Sequence, residues 1–191
     1  MKGPLFYSKI LLFGEYGIIQ DSKGLSIPYN FYNGALKKDE NPSESAIKSN
    51  ESLKKFVVYL EQLQAEQPEL VTFNLEVLKQ DVNSGMYFDS SIPQGYGVGS
   101  SGALVAAIYD KYANNKITVL ENLTREKLLQ LKTIFSQMES FFHGKSSGLD
   151  PLNSYLSIPI LINSKDNIEA TGIPTQSTQG KGAVFLNYQT S

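Results

Sequence analysis

The sequence contains no cysteine, and this absence excludes several kinds of chemistry. A disulfide bond, a thiolate nucleophile and a cysteine-ligated zinc site all need that side chain. The absence also fits the cytoplasm, although secreted proteins can lack cysteine as well. Any catalytic chemistry in this chain must therefore use other side chains or the backbone.

A strong net charge and a long hydrophobic segment are also missing. The 191 residues carry a formal net charge of -2, which gives no electrostatic reason to expect nucleic acid or an anionic membrane as partner. No apolar run approaches the roughly 18 residues needed to cross a bilayer. The apolar stretch near the amino terminus is broken by Gly14, Glu15 and Gly17, which makes a poor signal peptide. We therefore expect a soluble, cytoplasmic protein.

The remaining composition is that of a globular domain. Hydrophobic residues make up 41% and charged residues 19% of the chain, within the usual range, and the length suffices for one domain with its own core. Strand-like and helix-like segments are interspersed without the regular alternation of a doubly wound sheet. We therefore expect one domain over residues 1–191 in which strands and helices are interspersed but do not form a doubly wound sheet.

Short apolar segments predict the strands. Residues 10–13 form a compact apolar run that we expect to be a buried strand, and Phe73, Leu75 and Val77 alternate with polar residues as in a half-buried strand. Gly85 is expected to turn the chain into a further strand. That further strand is predicted at residues 86–90, and the other predicted strands are residues 18–19, 26–27, 158–162 and 183–186.

Helical spacing of apolar residues predicts three helices. One follows Ser52, one spans residues 100–112 and is rich in small side chains, and the third begins after Thr124 and is stopped by Gly144. The polar segment 37–50 is expected to be a surface loop.

The most informative segment reads PQGYGVGSSGA. Gly95, Gly97 and Gly99 let the backbone turn tightly and approach a ligand without a Cβ in the way. The helix predicted to begin at Ser100 presents unpaired N–H groups and a favourable dipole to an anion. The hydroxyls of Ser100 and Ser101 can bond phosphate oxygens or ligate Mg²⁺. This geometry suits a triphosphate.

The same segment matches neither a Walker A loop nor the dinucleotide fingerprint, because no Lys-Ser or Lys-Thr closes it and its spacing differs. A glycine-rich turn ahead of an ordinary helix is the alternative interpretation. The preceding Pro93, the paired serines and the helix behind them favour phosphate binding. The predicted phosphate-binding residues are Gly95, Gly97, Val98, Gly99, Ser100, Ser101 and Gly102.

A second segment, ESFFHGKSSGLD, runs from the end of the third predicted helix into the loop beyond it. It contains two carboxylates, Glu139 and Asp150, that the fold can bring together around one phosphoryl group. One can then hold Mg²⁺, and the other can accept the proton of an attacking hydroxyl. The alternatives are a solvated helix residue for Glu139 and a turn residue before proline for Asp150. His143, the only histidine, is alternatively a helix-terminal residue favoured by the dipole.

Three segments together resemble the GHMP kinases, the superfamily that contains galactokinase, homoserine kinase, mevalonate kinase and phosphomevalonate kinase. Residues 93–107 are similar to its second motif. KILLFGEYGII resembles the first motif in its mevalonate kinase form, and ESFFHGKSSGLD resembles the corresponding mevalonate kinase segment with the same spacing. The resemblance implies an α+β domain with a left-handed βαβ unit, a mixed sheet packed against helices, and a glycine loop around the phosphates of ATP.

The resemblance also implies roles for individual residues. The Mg²⁺ ligands would be Ser101 and Glu139, and the catalytic base would be Asp150. Lys9 would stabilise the ionised base and lower the pKa of the substrate hydroxyl, the alternative being a surface lysine beside a core strand. The implied substrate-binding residues are Glu15, Tyr16, His143, Ser147 and Gly148.

Some positions depart from the pattern. Tyr16 stands where mevalonate kinases usually carry histidine, Ser8 where glycine is usual, and Gly102 where alanine is usual, a change we expect to be tolerated. The superfamily's second domain, with a third glycine-rich motif that closes over the phosphates, has no counterpart after Asp150, and the sequence at 180–182 is too short. We expect the amino-terminal, ATP-binding and catalytic domain alone, with weak turnover or none because an open site admits water.

The expected function is ATP- and Mg²⁺-dependent phosphorylation of a small alcohol, with mevalonate, a precursor in isoprenoid biosynthesis, as the leading acceptor. A phosphomevalonate or sugar kinase of the same superfamily is one alternative. A non-catalytic nucleotide-binding module is another, against which Lys9 and Asp150 argue, because a binder needs no base. No nucleic-acid or membrane partner is expected, and a dimer or a complementing carboxy-terminal half is left open.

Overall fold

The computed structural model describes residues 3–13, 23–118, 123–164 and 167–171. The described residues form helices packed on a sheet, which confirms the α+β class. None of the described helices is long and apolar enough to cross a membrane. The predicted strands at 18–19 and 183–186 and two predicted substrate-binding residues, Glu15 and Tyr16, lie outside the described residues.

Five strands and five helices are described. The strands are β1 (Phe6–Phe13), β2 (Gly24–Lys37), β3 (Tyr87–Ser90), β4 (Ile160–Ser164) and β5 (Asn167–Ala170). The helices are α1 (Glu44–Glu66), α2 (Leu75–Asn83), α3 (Ser100–Tyr112), α4 (Arg125–His143) and α5 (Leu149–Leu156).

The long strand β2 organises the sheet. Gly34 of β2 pairs with β1 and with β3, and Leu25 pairs with β1 and with β4, so β3 and β4 share the edge of β2 opposite β1. β5 pairs with β4. Both β3 and β4 run antiparallel to β2 and therefore in the same direction as each other, with α3, α4 and α5 in the connection between them.

The expected mixed sheet is corrected in this part of the chain. Every pairing between described strands is antiparallel, because β3 and β4 each bond to β2 and not to one another. The left-handed βαβ unit stays a prediction.

Helix α3 lies at the centre of the core. Its residues from Gly102 to Tyr109 are all buried, as expected for a helix surrounded by other elements rather than one with a single apolar face. It contacts α2, α4 and α5 as well as β1 and β2. The small side chains that predicted this helix allow those neighbours to approach closely, and its observed bounds are the predicted ones.

The predicted helices after Ser52 and Thr124 are also confirmed, but the first begins earlier than expected. The hydroxyl of Ser43 accepts a hydrogen bond from the Ala46 N–H at 3.2 Å and so caps the helix. Because Ala46 is buried, the turn it belongs to is fixed to the core. Residues 44–50 are therefore helix, not the surface loop that their polarity predicted.

The strand predicted from Phe73, Leu75 and Val77 is wrong. The side chain of Asn74 caps a helix by accepting from the Val77 N–H at 3.3 Å. The buried residues of this helix are Leu78 and Val82, four apart as helical spacing requires. The period-two pattern was too short to exclude a helix.

Residues 10–13 belong to β1, as predicted, but the end of the strand is not buried. Leu12 is 54% and Phe13 46% exposed. Among the described strands β1 pairs with β2 alone, so it lies at an edge of the sheet.

Candidate active site

The glycine loop turns through three left-handed residues and then enters α3. Gly95, Gly97 and Gly99 have φ values of 81°, 66° and 85°, where side chains with a Cβ are disfavoured. The Val98 carbonyl accepts the Lys9 N–H at 3.2 Å, which fixes the loop to β1. A Cβ on Gly99 would lie 3.3 Å from the Lys9 side chain. The loop, the first turn of α3 and Lys9 therefore form one compact unit.

Lys9 and Asp150 form an ion pair beside this loop. The Lys9 Nζ lies 3.1 Å from the Asp150 Oδ1, with the side chains 14% and 31% exposed. Asp150 is the second residue of α5, not a loop residue as the sequence predicted. A carboxylate in the first turn of a helix is favoured by the dipole, and proline is acceptable one residue later because the first turn needs no N–H partner.

Gly102 sets how closely α3 approaches α5. A Cβ at this position would lie 2.7 Å from the Asp150 carbonyl carbon and from the Pro151 nitrogen. Both are backbone atoms, so an alanine would require α5 to move away. That glycine is tolerated where alanine is usual stays a prediction, but in this chain the reverse change to alanine would crowd α5, and the glycine allows Asp150 to lie near the loop.

Ser101 and Glu139 meet at the first turn of α3. The Ser101 hydroxyl donates to the Glu139 Oε1 at 2.9 Å, and the Ser146 hydroxyl donates to Oε2. Glu139 is only 3% exposed, so the interpretation as a solvated helix residue is wrong. Burial raises the pKa of the Glu139 carboxyl, the charge of Asp150 adds to the rise, and the two serine hydroxyls oppose it.

His143 contacts the same serine. Its Nε2 lies 2.9 Å from the Ser101 Oγ. Because the single proton of Ser101 is donated to Glu139, this oxygen accepts from an Nε2–H of His143. His143 was predicted to bind substrate, and the structure brings it to a predicted Mg²⁺ ligand.

The segment between α4 and α5 carries two further predicted residues. The Ser147 hydroxyl accepts the Leu149 N–H at 3.3 Å. Gly148 has φ 75° and precedes α5, and a Cβ there would overlap the Lys132 carbonyl oxygen. These contacts explain why the turn has this shape and leave the substrate-binding role of both residues a prediction.

Ser146 is the contact of Glu139 that sequence reasoning missed. Only the second serine of KSSG matched the motif, so the first drew no attention. The signal was nevertheless present: a doubled serine directly after the helix that carries the carboxylate.

A cleft of about 960 Å³ lies beside the glycine loop and the first turn of α3, within the size range of small-molecule sites. Of the predicted site residues, those at its wall are Gly95, Gly97, Val98, Gly99, Ser100, Ser101, His143 and Asp150. Another part of the wall is formed by the first half of α1 and by β3, with Lys48, Ser49, Tyr87 and Asp89 among its residues. Sequence reasoning missed this part of the wall because its residues are far from the motifs in the chain.

The donor set suits Mg²⁺ bound together with a nucleotide. Ser101 and Glu139 offer hard oxygen atoms beside the glycine loop, and protein-bound Mg²⁺ commonly combines one or two carboxylates with substrate phosphates. In the described part of the chain no group of three or more His, Cys, Asp or Glu side chains can hold a metal alone. The phosphates would have to complete the coordination.

Residues 58–157 match the family model described as "GHMP kinases N terminal domain". No curated protein matches the chain. Similar solved structures include mevalonate kinase of L. major in complex with R-mevalonate (18% identity, 92% of this chain, 56% of that chain, TM-score 0.49). Mevalonate kinases of Methanococcus jannaschii (14%, 89%, 56%, 0.49) and of methicillin-resistant Staphylococcus aureus (18%, 90%, 55%, 0.46) are also similar. The chain spans little more than half the length of these three structures.

Proposed function

The chain belongs to the GHMP kinase family, whose amino-terminal domain matches residues 58–157, and from this premise we propose that it transfers the γ-phosphate of ATP to the hydroxyl of a small alcohol. The observation that carries the proposal is the pairing of Lys9 with Asp150 at 3.1 Å beside the glycine loop. A loop that only bound nucleotide would need neither group.

The phosphates of ATP are proposed to bind at the glycine loop and the first turn of α3. The left-handed glycines turn the loop tightly, and α3 begins directly after them at Ser100, where its first N–H groups have no partner within the helix. An anion at this position is favoured both by the unpaired amides and by the helix dipole.

Ser101 and Glu139 would hold Mg²⁺, which neutralises charge on the β- and γ-phosphates when bound. Before binding, the Ser101 hydroxyl is oriented by Glu139 and His143 at 2.9 Å each. The ligands are therefore held in place by the protein and need little rearrangement, which favours binding.

Asp150 is the proposed base. It accepts the proton of the alcohol while the alcohol oxygen bonds to the γ-phosphorus and the bond to the β-phosphate oxygen breaks, which releases ADP. The ammonium group of Lys9 balances the carboxylate and would stabilise negative charge on the attacking oxygen. Gly102 and Gly99 leave room for this pair between α3 and α5.

Mevalonate is the proposed acceptor, and isoprenoid biosynthesis in the cytoplasm the proposed setting. The support is the mevalonate kinase form of the first and third motifs, including the unbroken spacing from Glu139 to Asp150. Because Tyr16 stands where histidine is usual, phosphomevalonate and sugars should be tested beside mevalonate as acceptors.

The test is release of ADP from Mg-ATP with and without mevalonate. Any ADP that the unaltered chain releases should depend on the acceptor, and Asp150→Asn should release none. Asp110→Asn is the matched control, because Asp110 is similarly exposed and pairs with Lys116 at 3.6 Å away from the cleft. If the unaltered chain releases no ADP, the same assay is repeated on a version extended through a carboxy-terminal domain. Absence of ADP release there would overturn the mevalonate assignment.

A further inference from the structure

Ser146 joins the buried carboxylate of Glu139 to the helix that carries Asp150. Its hydroxyl contacts the Glu139 Oε2 and the Gly148 N–H, the latter at 3.0 Å. Its carbonyl oxygen accepts the hydroxyl of Ser136, on α4, at 2.6 Å. The serine is therefore held at three points, on both sides of the turn between α4 and α5.

The direction of these hydrogen bonds is fixed by their chemistry. An N–H group can only donate, so the Ser146 oxygen accepts from Gly148. The one hydroxyl proton of Ser146 then goes to Glu139. Because Ser101 donates to Oε1, each oxygen of this buried carboxylate receives one serine hydroxyl.

We propose that Ser146 is a positioning residue that fixes the Glu139 carboxylate with Oε1 toward Ser101, and thereby supports binding of the metal–nucleotide complex. The inference rests on the proposed function. Without the Ser146 hydroxyl, Oε2 has lost a partner in a place that water scarcely reaches, and the carboxylate is free to rotate away from Ser101. Groups that orient a metal ligand typically alter metal affinity 10- to 100-fold when removed.

Direct binding of Mn²⁺-ATP, followed by equilibrium dialysis with radiolabelled ATP, tests this role without requiring turnover. Ser146→Ala should weaken binding about tenfold, and Ser146→Thr, which keeps the hydroxyl, should restore most of it. ATP binding with the metal chelated should be the same in all variants. Ser140→Ala is the matched control, because Ser140 is also half-buried on this side of α4 and donates to the Ser136 carbonyl oxygen at 2.7 Å rather than to Glu139.

The outcomes separate this inference from the proposed function. Absence of Mn²⁺-ATP binding by the unaltered chain would overturn both. Normal binding by Ser146→Ala, or an equal loss with and without metal, would overturn the role of Ser146 alone. Thermal melting checks that each variant is folded; if Ser146→Ala is not, Ser146→Cys replaces it, since a thiol of similar size is a poor donor.

Discussion

Two carboxylates in this protein, Asp81 and Glu139, have opposite surroundings. Asp81 on α2 receives Lys38 and Lys111 at 2.8 Å each and the hydroxyl of Tyr112 at 2.6 Å. Glu139 on α4 is bonded by two neutral hydroxyls, those of Ser101 and Ser146. The charge of Asp81 is therefore balanced by two lysines of the protein, whereas the hydrogen bonds to Glu139 come from uncharged hydroxyl groups.

The pKa values move in opposite directions as a result. Burial raises the pKa of Asp81, but the hydrogen bonds from Lys111, Lys38 and Tyr112 outweigh it and leave the pKa well below its ordinary value. Burial raises the pKa of Glu139, and its hydroxyl partners do not compensate. The difference indicates that the positive charges around Asp81 contribute to the fold, and it agrees with the proposed role of Glu139 as a ligand for an added cation.

The largest effect that separates the two sites should come from Glu139→Gln. This change removes the charge proposed to hold Mg²⁺, so we expect Mn²⁺-ATP binding and any turnover to fall about 100-fold or more. The free energy of unfolding at neutral pH should rise, because the variant no longer buries a charge. Metal titration and urea unfolding of the same sample measure both. An equal loss of binding in Asp81→Asn would contradict the assignment of different roles.

Asp81→Asn should have the larger effect on stability. The change removes the negative charge between two lysines and replaces one of the two accepting oxygens by an amide group that can only donate, in a site where Asp81 is 19% exposed and Tyr112 is buried. We expect a loss of about 2 to 3 kcal/mol in the free energy of unfolding, measured with urea. Binding of Mn²⁺-ATP at temperatures where the variant is folded should be unchanged. A variant that unfolds like the unaltered chain would show that this ion cluster does not stabilise the fold.

The sequence predicted the parts of the site that depend on local signals. The bounds of α3 followed from small residues after a glycine loop, and Thr124 and Gly144 marked the ends of α4. The glycine spacing predicted a tight loop, and its three positive φ values confirm the tight turns. Each of these signals acts within a few residues of the structure it determines.

The missed parts depend on contacts between distant residues. The hydroxyl of Ser49 bonds both the N–H and the carbonyl oxygen of Phe88, at 3.0 and 3.1 Å, so a polar segment that looked like a loop forms a helix against β3. The burial of Glu139 depends on the turn that carries Ser146. The requirement for glycine at position 102 depends on α5, nearly fifty residues later. No local pattern reports such contacts.

Lowering the pH should change the two sites differently in metal-free protein. Because the folded pKa of Glu139 is raised above 4.5, its ionised form costs stability at neutral pH, and the cost disappears as pH falls through the folded pKa toward 4.5. The stability gained by Glu139→Gln should therefore be present at pH 7 and absent near pH 4.5. The folded pKa of Asp81 is depressed below 3.8. The stability that Asp81 contributes therefore persists from pH 7 to 4.5 and is lost only as the pH falls below 3.8 toward the folded pKa.

Urea unfolding of the two variants and the unaltered chain at several pH values measures these differences. A deficit of Asp81→Asn that shrinks between pH 7 and 4.5, or a gain of Glu139→Gln that does not, would contradict the opposite pKa shifts.

The smallest expected effect distinguishes the kinds of force at the two sites. Lys38 is 45% exposed, so its pair with Asp81 is partly screened by water, and Lys38→Met should cost only about 0.5 kcal/mol. That loss should shrink when salt is raised to about 0.5 M, because ions screen exposed charges. Any stability lost in Ser146→Ala reflects a hydrogen bond to a buried oxygen and should hardly change with salt. Urea unfolding at low and high salt compares the two. A loss in Ser146→Ala that depends on salt would mean that charge interactions act at Glu139 as they do at Asp81. The two carboxylates would then not differ in the kind of force that holds them.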